Sequence, residues 1–165
     1  MSFRVGIGFD VHRLEKRNSL VLGGIKINHE KGTVAHSDGD VVIHSICDAL
    51  LGSLAIGDIG LLFPDNDEAY KNINSRILFI KVLERIYKTG YRVVNIDVSI
   101  VLERPKIQPY ILDMRKELSK YSEEKGLKKI NFDDISIKAT TNEKLGFIGK
   151  EEGVACHAVV LIKKM

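Results

Sequence analysis

Residues 92–102, RVVNIDVSIVL, alternate apolar and polar side chains over most of their length. A period of two belongs to a strand with one buried face. Val94, Ile96, Val98, Ile100 and Leu102 would face a core, and Asn95, Asp97 and Ser99 would face away from it. The stretches on either side carry the helical period instead. Residues 74–89 gather Phe79, Ile80, Leu83, Ile86 and Tyr87 on one side and end at Gly90. Residues 108–124 start a helix near Pro109 and stop at Gly126. Strands are expected over 3–9 (FRVGIGF), 19–27 (SLVLGGIKI, interrupted at Gly23-Gly24), 134–140 (DISIKAT) and 153–162 (GVACHAVVLI). Ser37-Asp38-Gly39-Asp40 resembles a capping box with Ser37 as cap, and Val42, Ile46, Ala49 and Leu50 form the core face of the helix that follows. The order strands, helix, helix, strand, helix, strand, strand predicts an α+β fold: a mixed β-sheet with helices packed on one face. With no internal repeat or linker, residues 1–165 read as a single domain.

Composition narrows the function. The 25 basic and 22 acidic residues leave a formal charge of +3, too small an excess to mark a nucleic-acid binder. No apolar run approaches the ~20 residues of a membrane span. Two cysteines, Cys47 and Cys156, make no disulfide framework and suit a reducing compartment. The opening MSFRVGIGFD lacks the long apolar run of a secretory signal. A cytoplasmic protein is expected, or one of a plastid-type stroma if a transit peptide has been removed.

The chemistry-bearing residues are unevenly spread. His12, His29, His36 and His44 fall in the first 44 residues, among Asp10, Asp38 and Asp40. In extended chain Asp10 and His12 point to the same side, here at a strand end. His44 shares its helix face with Asp40, Cys47, Asp48 and Leu51, nearly opposite Val42 and Ile46, and so would project away from its helix's own core. If these faces meet, Asp10, His12 and His44 form an N/N/O set with an open fourth position, the catalytic type of zinc site. Cys47 is near enough to suggest a thiolate, although the pattern does not require one. Asp48 or Asp40 would orient the His44 ring. A D-x-H pair also arises by chance, and a lone helical histidine often serves only the surface.

Three further segments stand out. Ala139 to Phe147 follows a strand with two hydroxyls, an amide, a carboxylate and an ammonium. It could bind a phosphate ester, with Glu143 on a divalent cation that the phosphates share; spacing alone favours a polar turn with an exposed Glu143-Lys144 pair. Arg104 to Pro109 leads into a helix N-terminus, which favours an anion, or is a plain connection. Residues 56–72 make a polar loop too long for a passive connector. In it Asp58 could accept from a polyol and Phe63 could pack on carbon, unless the segment is a solvated turn.

Taken in order, GFDVH at 8–12, AHSDGDVVIHSICDALLG at 35–52, GDIGLLFPD at 57–65, ERPKIQP at 103–109 and KATTNEKLGFIGKEEGVAC at 138–156 resemble the 2-C-methyl-D-erythritol 2,4-cyclodiphosphate synthase family. The resemblance spans essentially the whole chain and leaves no room for a fused cytidylyltransferase domain. It implies a chorismate-mutase-like subunit in a homotrimer, with active sites at the subunit interfaces. It implies zinc on Asp10, His12 and His44, and Mg²⁺ or Mn²⁺ on Glu143, bridging the substrate's α- and β-phosphates. His36 and Ser37 would contact the substrate's phosphate side, and Asp58 and Gly60 the methylerythritol hydroxyls, with Asp65 in the same loop. Pro105, Lys106, Ile107, Ala139, Thr140 and Thr141 would form the neighbour's cytidine pocket, with Lys150 as a further contact. His36, Asp48, Thr141 and Glu143 are the expected catalytic residues. Asn142 stands where a third Thr is common, Glu103-Arg104 replaces smaller or neutral residues, and Lys150 and His157 replace Arg and Glu near the trimer axis. The implied reaction is intramolecular phosphoryl transfer within 4-diphosphocytidyl-2-C-methyl-D-erythritol 2-phosphate, releasing CMP. A zinc-dependent phosphoester hydrolase and a non-catalytic trimeric nucleotide-binding protein are the alternatives.

Overall fold

A computed structural model describes residues 2–64 and 73–165. Five strands form one mixed sheet: β1 (Phe3–Lys16), β4 (Lys31–Val34), β5 (Tyr91–Val101), β6 (Ile135–Thr140) and β7 (Gly153–Lys164), in the order β4-β1-β7-β5-β6. β5 and β6 run parallel, and the other pairs are antiparallel. β2 (Leu20–Leu22) and β3 (Ile25–Ile27) make a separate hairpin. Gly23 and Gly24 both take positive φ, 57° and 78°, as a tight two-residue turn demands.

The helices α1 (Val41–Ser53), α3 (Ser75–Lys88) and α4 (Ile111–Ser122) pack on one side of the sheet; the short α2 (Ile59–Leu62) lies between α1 and α3 in the chain, and the short α5 (Gly146–Gly149) between β6 and β7. Between the layers lies the core, where Ile96, Val98 and Ile100 of β5 and Val154, Cys156, Ala158, Val160 and Ile162 of β7 face Ile46, Leu50 and Phe79. Each large apolar side chain so buried contributes roughly 1.5–3 kcal/mol. The opposite face of β1 is left bare: Phe3, Val5, Ile7, Phe9 and Val11 are between 41 and 71% exposed.

The expected strands and helices are present, with four corrections. β5 carries a bulge between Val93 and Asn95 in its pairing with β7, so Val93 takes the buried position and Val94 does not. β1 runs on to Lys16, which places Asp10 and His12 in mid-strand rather than at a strand end. The cap of α1 is Asp40, whose carboxylate accepts from Val42 N–H and Ile43 N–H at 3.1 Å each; Ser37 lies three residues too early. α1 is buried at every residue except Asp48 and Gly52, since it sits between the sheet and α3. His44 therefore does not project outward and is itself buried.

Candidate metal centre and cleft

Gly6 and Gly8 set the height of α1 above β1. A Cβ on Gly6 would lie 1.9 Å from the Ala49 carbonyl oxygen, and one on Gly8 would lie 1.9 Å from that of Ser45. The helix backbone thus rests directly on the strand. Gly6, Gly8, Asp10 and His12 share the inward face of β1 by the period of two. The side chains of the next two positions along that face, Asp10 and His12, reach His44, one residue before Ser45.

Three donor atoms converge there. Asp10 Oδ2 lies 2.9 Å from His44 Nδ1 and 3.2 Å from His12 Nε2. The two ring nitrogens are 3.3 Å apart. Asp10 Oδ1 accepts from its neighbour Val11 N–H at 2.8 Å, which fixes the rotation of the carboxylate. Among the described residues this is the one group of three or more His, Cys, Asp or Glu side chains gathered closely enough to hold a metal ion. Two nitrogens and one carboxylate oxygen form a donor set that fits zinc. Cys47 is fully buried, burial pushes its thiol well above its ordinary value, and it stands outside this group of donor atoms.

The electrostatics agree with a cation-seeking site. Burial alone would raise the Asp10 carboxyl, but hydrogen bonds and charge from His12 and His44 outweigh it and hold the group below the usual carboxylate range. Burial alone would lower the His44 imidazole, but its hydrogen bond to Asp10 and the charges of Asp10, Asp40 and Asp38 hold it above its ordinary value. The far nitrogen of His44, Nε2, lies 2.8 Å from Ser75 Oγ and 3.2 Å from Ser37 Oγ. Neither Ser75 nor its contact with Asp38 was marked by the sequence.

A cleft of about 470 Å³ opens beside the centre, lined by His12, His36, Ser37, His44, Gly60 and Phe63 among others. His36 is exposed at its rim. Asp48 does not orient His44 through a hydrogen bond; it accepts from Ile59 N–H at 2.9 Å. Asp58 accepts from Leu61 N–H at 2.8 Å as the cap of α2. Asp40 spends its carboxylate on backbone N–H groups of Gly23, Gly24, Val42 and Ile43 and does not reach the His44 ring. The two aspartates Asp48 and Asp58 hold α2, and with it Gly60, against the cleft. Asp65 lies outside the described residues.

The other expected site residues form a second group, at the ends of β5 and β6. Lys106, Ala139, Thr140, Thr141, Glu143 and Lys150 are exposed, and Pro105 is half-buried. Ile107 is buried in the core, so only its backbone is available to a ligand. Thr141 Oγ1 donates to Glu143 Oε1 at 3.1 Å. Glu103, noted in the sequence only as an unusual residue, accepts from Asn142 N–H and Lys144 N–H at 3.3 Å each and shapes this loop. β1 and β6 are three strand spacings apart in the sheet, roughly 14 Å. None of this second group lines the histidine cleft.

Comparison with known proteins gives the same reading over the full length. Residues 3–163 match the model of the YgbB family. The chain is 52% identical over 164 residues to 2-C-methyl-D-erythritol 2,4-cyclodiphosphate synthase of Prochlorococcus marinus, covering 98% of this chain and 95% of that one. It superposes on the bifunctional IspDF of Campylobacter jejuni with a TM-score of 0.92 and 37% identity, covering 99% of this chain and 43% of that longer one. Its likeness to IspF of Plasmodium falciparum, solved as a CDP complex, has a TM-score of 0.84 at 35% identity and covers 99% and 97% of the two chains. The chain belongs to the YgbB family, alongside these 2-C-methyl-D-erythritol 2,4-cyclodiphosphate synthases.

Proposed function

We propose that this chain converts 4-diphosphocytidyl-2-C-methyl-D-erythritol 2-phosphate to 2-C-methyl-D-erythritol 2,4-cyclodiphosphate and CMP. The observation that carries the reading is the convergence of Asp10, His12 and His44 beside a cleft lined by His36, Ser37 and Gly60. The relatives' common name and the CDP bound to one of them support it. A 2-phosphate oxygen forms a bond to the β-phosphorus, and the bond from that phosphorus to the bridging oxygen breaks, so CMP leaves with the electron pair. The attacking group is already an anion, and no protein nucleophile or strong base is required. Charge repulsion and ring-closure entropy are the barriers.

Asp10, His12 and His44 would hold zinc, which supplies Lewis-acid polarisation of a phosphate oxygen when bound. Ser37 Oγ accepts from Gly39 N–H at 3.2 Å, which leaves its own proton for a phosphate oxygen in the cleft. His36, at the rim, carries a further donor toward the same phosphate. Gly60 and Asp58 would contact the methylerythritol hydroxyls, Asp58 through the lone pairs its cap leaves free. Glu143 would hold Mg²⁺ or Mn²⁺ at the diphosphate, with Thr141 beside it. Pro105, Lys106, the Ile107 backbone, Ala139, Thr140 and Lys150 would receive the cytidine and its phosphate.

These two groups serve one substrate only if a second copy brings its nucleotide loop to the first copy's metal centre. The bare apolar face of β1 offers a surface for such an assembly, because a row of exposed apolar side chains along one strand suits an interface between copies. We infer a homotrimer of chorismate-mutase-like subunits with three active sites at the interfaces. The buried free thiols of Cys47 and Cys156 suit the cytoplasm. The test is phosphorus NMR after incubation with the diphosphocytidyl substrate and Mg²⁺. Two coupled, non-terminal phosphorus signals plus CMP are expected. Inorganic phosphate would indicate hydrolysis, and unchanged substrate would indicate binding without turnover; either result contradicts the proposal.

A further inference from the structure

The far side of His44 holds a hydrogen-bond chain with only one consistent proton arrangement. Ser75 is fully buried at the start of α3. Its N–H donates to Asp38 Oδ2 at 2.9 Å, and its Oγ–H donates to Asp38 Oδ1. A hydroxyl has one proton. With that proton committed to a carboxylate, which can only accept, Ser75 Oγ presents lone pairs alone to His44 Nε2, 2.8 Å away. The proton in that contact must therefore sit on Nε2. A neutral imidazole protonated at Nε2 has its lone pair on Nδ1, and Nδ1 faces Asp10 Oδ2 at 2.9 Å. In the metal-free protein a second proton on Nδ1 fills this contact as an imidazolium, and in the neutral ring the Nδ1 lone pair is left for a metal ion that displaces that proton.

We propose that Asp38 and Ser75 are positioning residues that fix the His44 tautomer and ring plane, so that Nδ1 is the metal-ligating atom. The proposal rests on the reading of Asp10, His12 and His44 as a metal centre and deepens it. The chain is rigid by construction. Asp38 N–H donates to Ile73 O at 3.2 Å, which ties the loop before α1 to the loop before α3. Asp38 Oδ1 also accepts at 3.3 Å from the N–H of Asp40, the cap of α1. The helix bearing His44 and the helix bearing Ser75 are thereby registered by one carboxylate. In a dry site such a chain polarises along its length, so the negative charge of Asp38 is felt at Nδ1 as greater basicity. Ser37 Oγ, at 3.2 Å from Nε2, is the weaker second acceptor and cannot replace the chain, because it has no carboxylate behind it among the contacts it makes.

The test uses full-length protein, stripped of metal and titrated with Zn²⁺ against a chromophoric chelator. Ser75→Ala and Asp38→Asn are expected to bind Zn²⁺ roughly 10- to 100-fold more weakly than wild type. Circular dichroism of both is expected to match wild type. In the zinc-loaded wild type, ring-¹⁵N NMR is expected to find His44 protonated at Nε2 and ligated through Nδ1. A Ser75→Ala affinity within about twofold of wild type would overturn the proposal, as would a His44 ring protonated at Nδ1. The ring assignment is made on wild type alone and decides the matter even if both variants fail to fold. Wild-type protein that binds no Zn²⁺ would overturn the metal reading itself, a result distinct from tight binding that ignores Ser75.

Discussion

Gly8 stands against Ser45 with no room for a side chain: a Cβ placed there would lie 1.9 Å from the Ser45 carbonyl oxygen. That contact brings α1 onto β1 and carries His44 to Asp10 and His12. Gly8→Ala should force the two elements apart. Overpacking of this kind costs about 1–3 kcal/mol. Urea denaturation should register that loss, and zinc titration should find a weakened centre in whatever protein remains folded. Unchanged stability and zinc affinity would mean that the close approach is not what builds the site.

His44→Ala should lose zinc and nearly all turnover while the proposed trimer survives. The loss should be ~100-fold or more, the scale of removing a major electrostatic stabiliser. Metal analysis together with light scattering checks both halves. An unfolded or dissociated variant would make the centre structural.

Glu143→Gln should raise the Mg²⁺ concentration needed for half-maximal turnover more than it changes zinc content. Glu143 is exposed and touches Thr141, far from the histidine cleft. A Mg²⁺ titration with parallel zinc analysis separates the two effects.

Asp10 and His44 give the metal-free protein a defined pH window. His44 is held above its ordinary 6.5, so its contribution is complete below pH 6.5 and is lost as pH rises through the raised value. Asp10 is held below its ordinary 3.8, so its contribution is complete above pH 3.8 and is lost as pH falls through the lowered value. The pair therefore stabilises the apo protein most between pH 3.8 and 6.5. Denaturation of chelator-treated protein across and above that window should show the decline at higher pH, and Asp10→Asn should remove it. Zinc affinity should run the other way and rise with pH, because the metal displaces the His44 proton.

Ile7→Lys should break the proposed trimer and leave the fold intact. Ile7 is 71% exposed in the single chain, at the middle of the bare face of β1. Light scattering should report monomers that still bind zinc but turn over poorly, since the nucleotide loop of a neighbour is then absent. A monomeric variant with full activity would show that one chain holds a whole site.

The parts of this fold visible in the sequence are those where burial alone chose the residues. The alternation of Ile96, Val98 and Ile100 announced β5, and the helix at 75–88 falls within a residue of its expected bounds. The bulge that exchanged Val94 for Val93 was hidden, because two adjacent valines satisfy either register. The second half of β1 was hidden for a functional reason. Its inward face reads Gly6, Gly8, Asp10, His12 and Leu14, so the close approach and the candidate metal ligands replace the apolar residues that mark a strand. Asp10, His12 and His44 were legible by spacing and by family resemblance. Ser75 was not, because it meets His44 across 31 residues and nothing local distinguishes it from an ordinary helix-start serine. Asp48 and Asp40 were visible as acids near His44, but backbone amides claimed their oxygens first.

The central claim is that Asp10, His12 and His44 bind one ion together. Zinc-edge X-ray absorption of the reconstituted protein tests it most directly. The account predicts two imidazole nitrogens at ~2.0–2.1 Å and one carboxylate oxygen at ~2.0–2.2 Å, with a fourth, exchangeable light-atom ligand. A sulfur scatterer near 2.3 Å, or a spectrum unchanged in the His44→Ala variant, would contradict it.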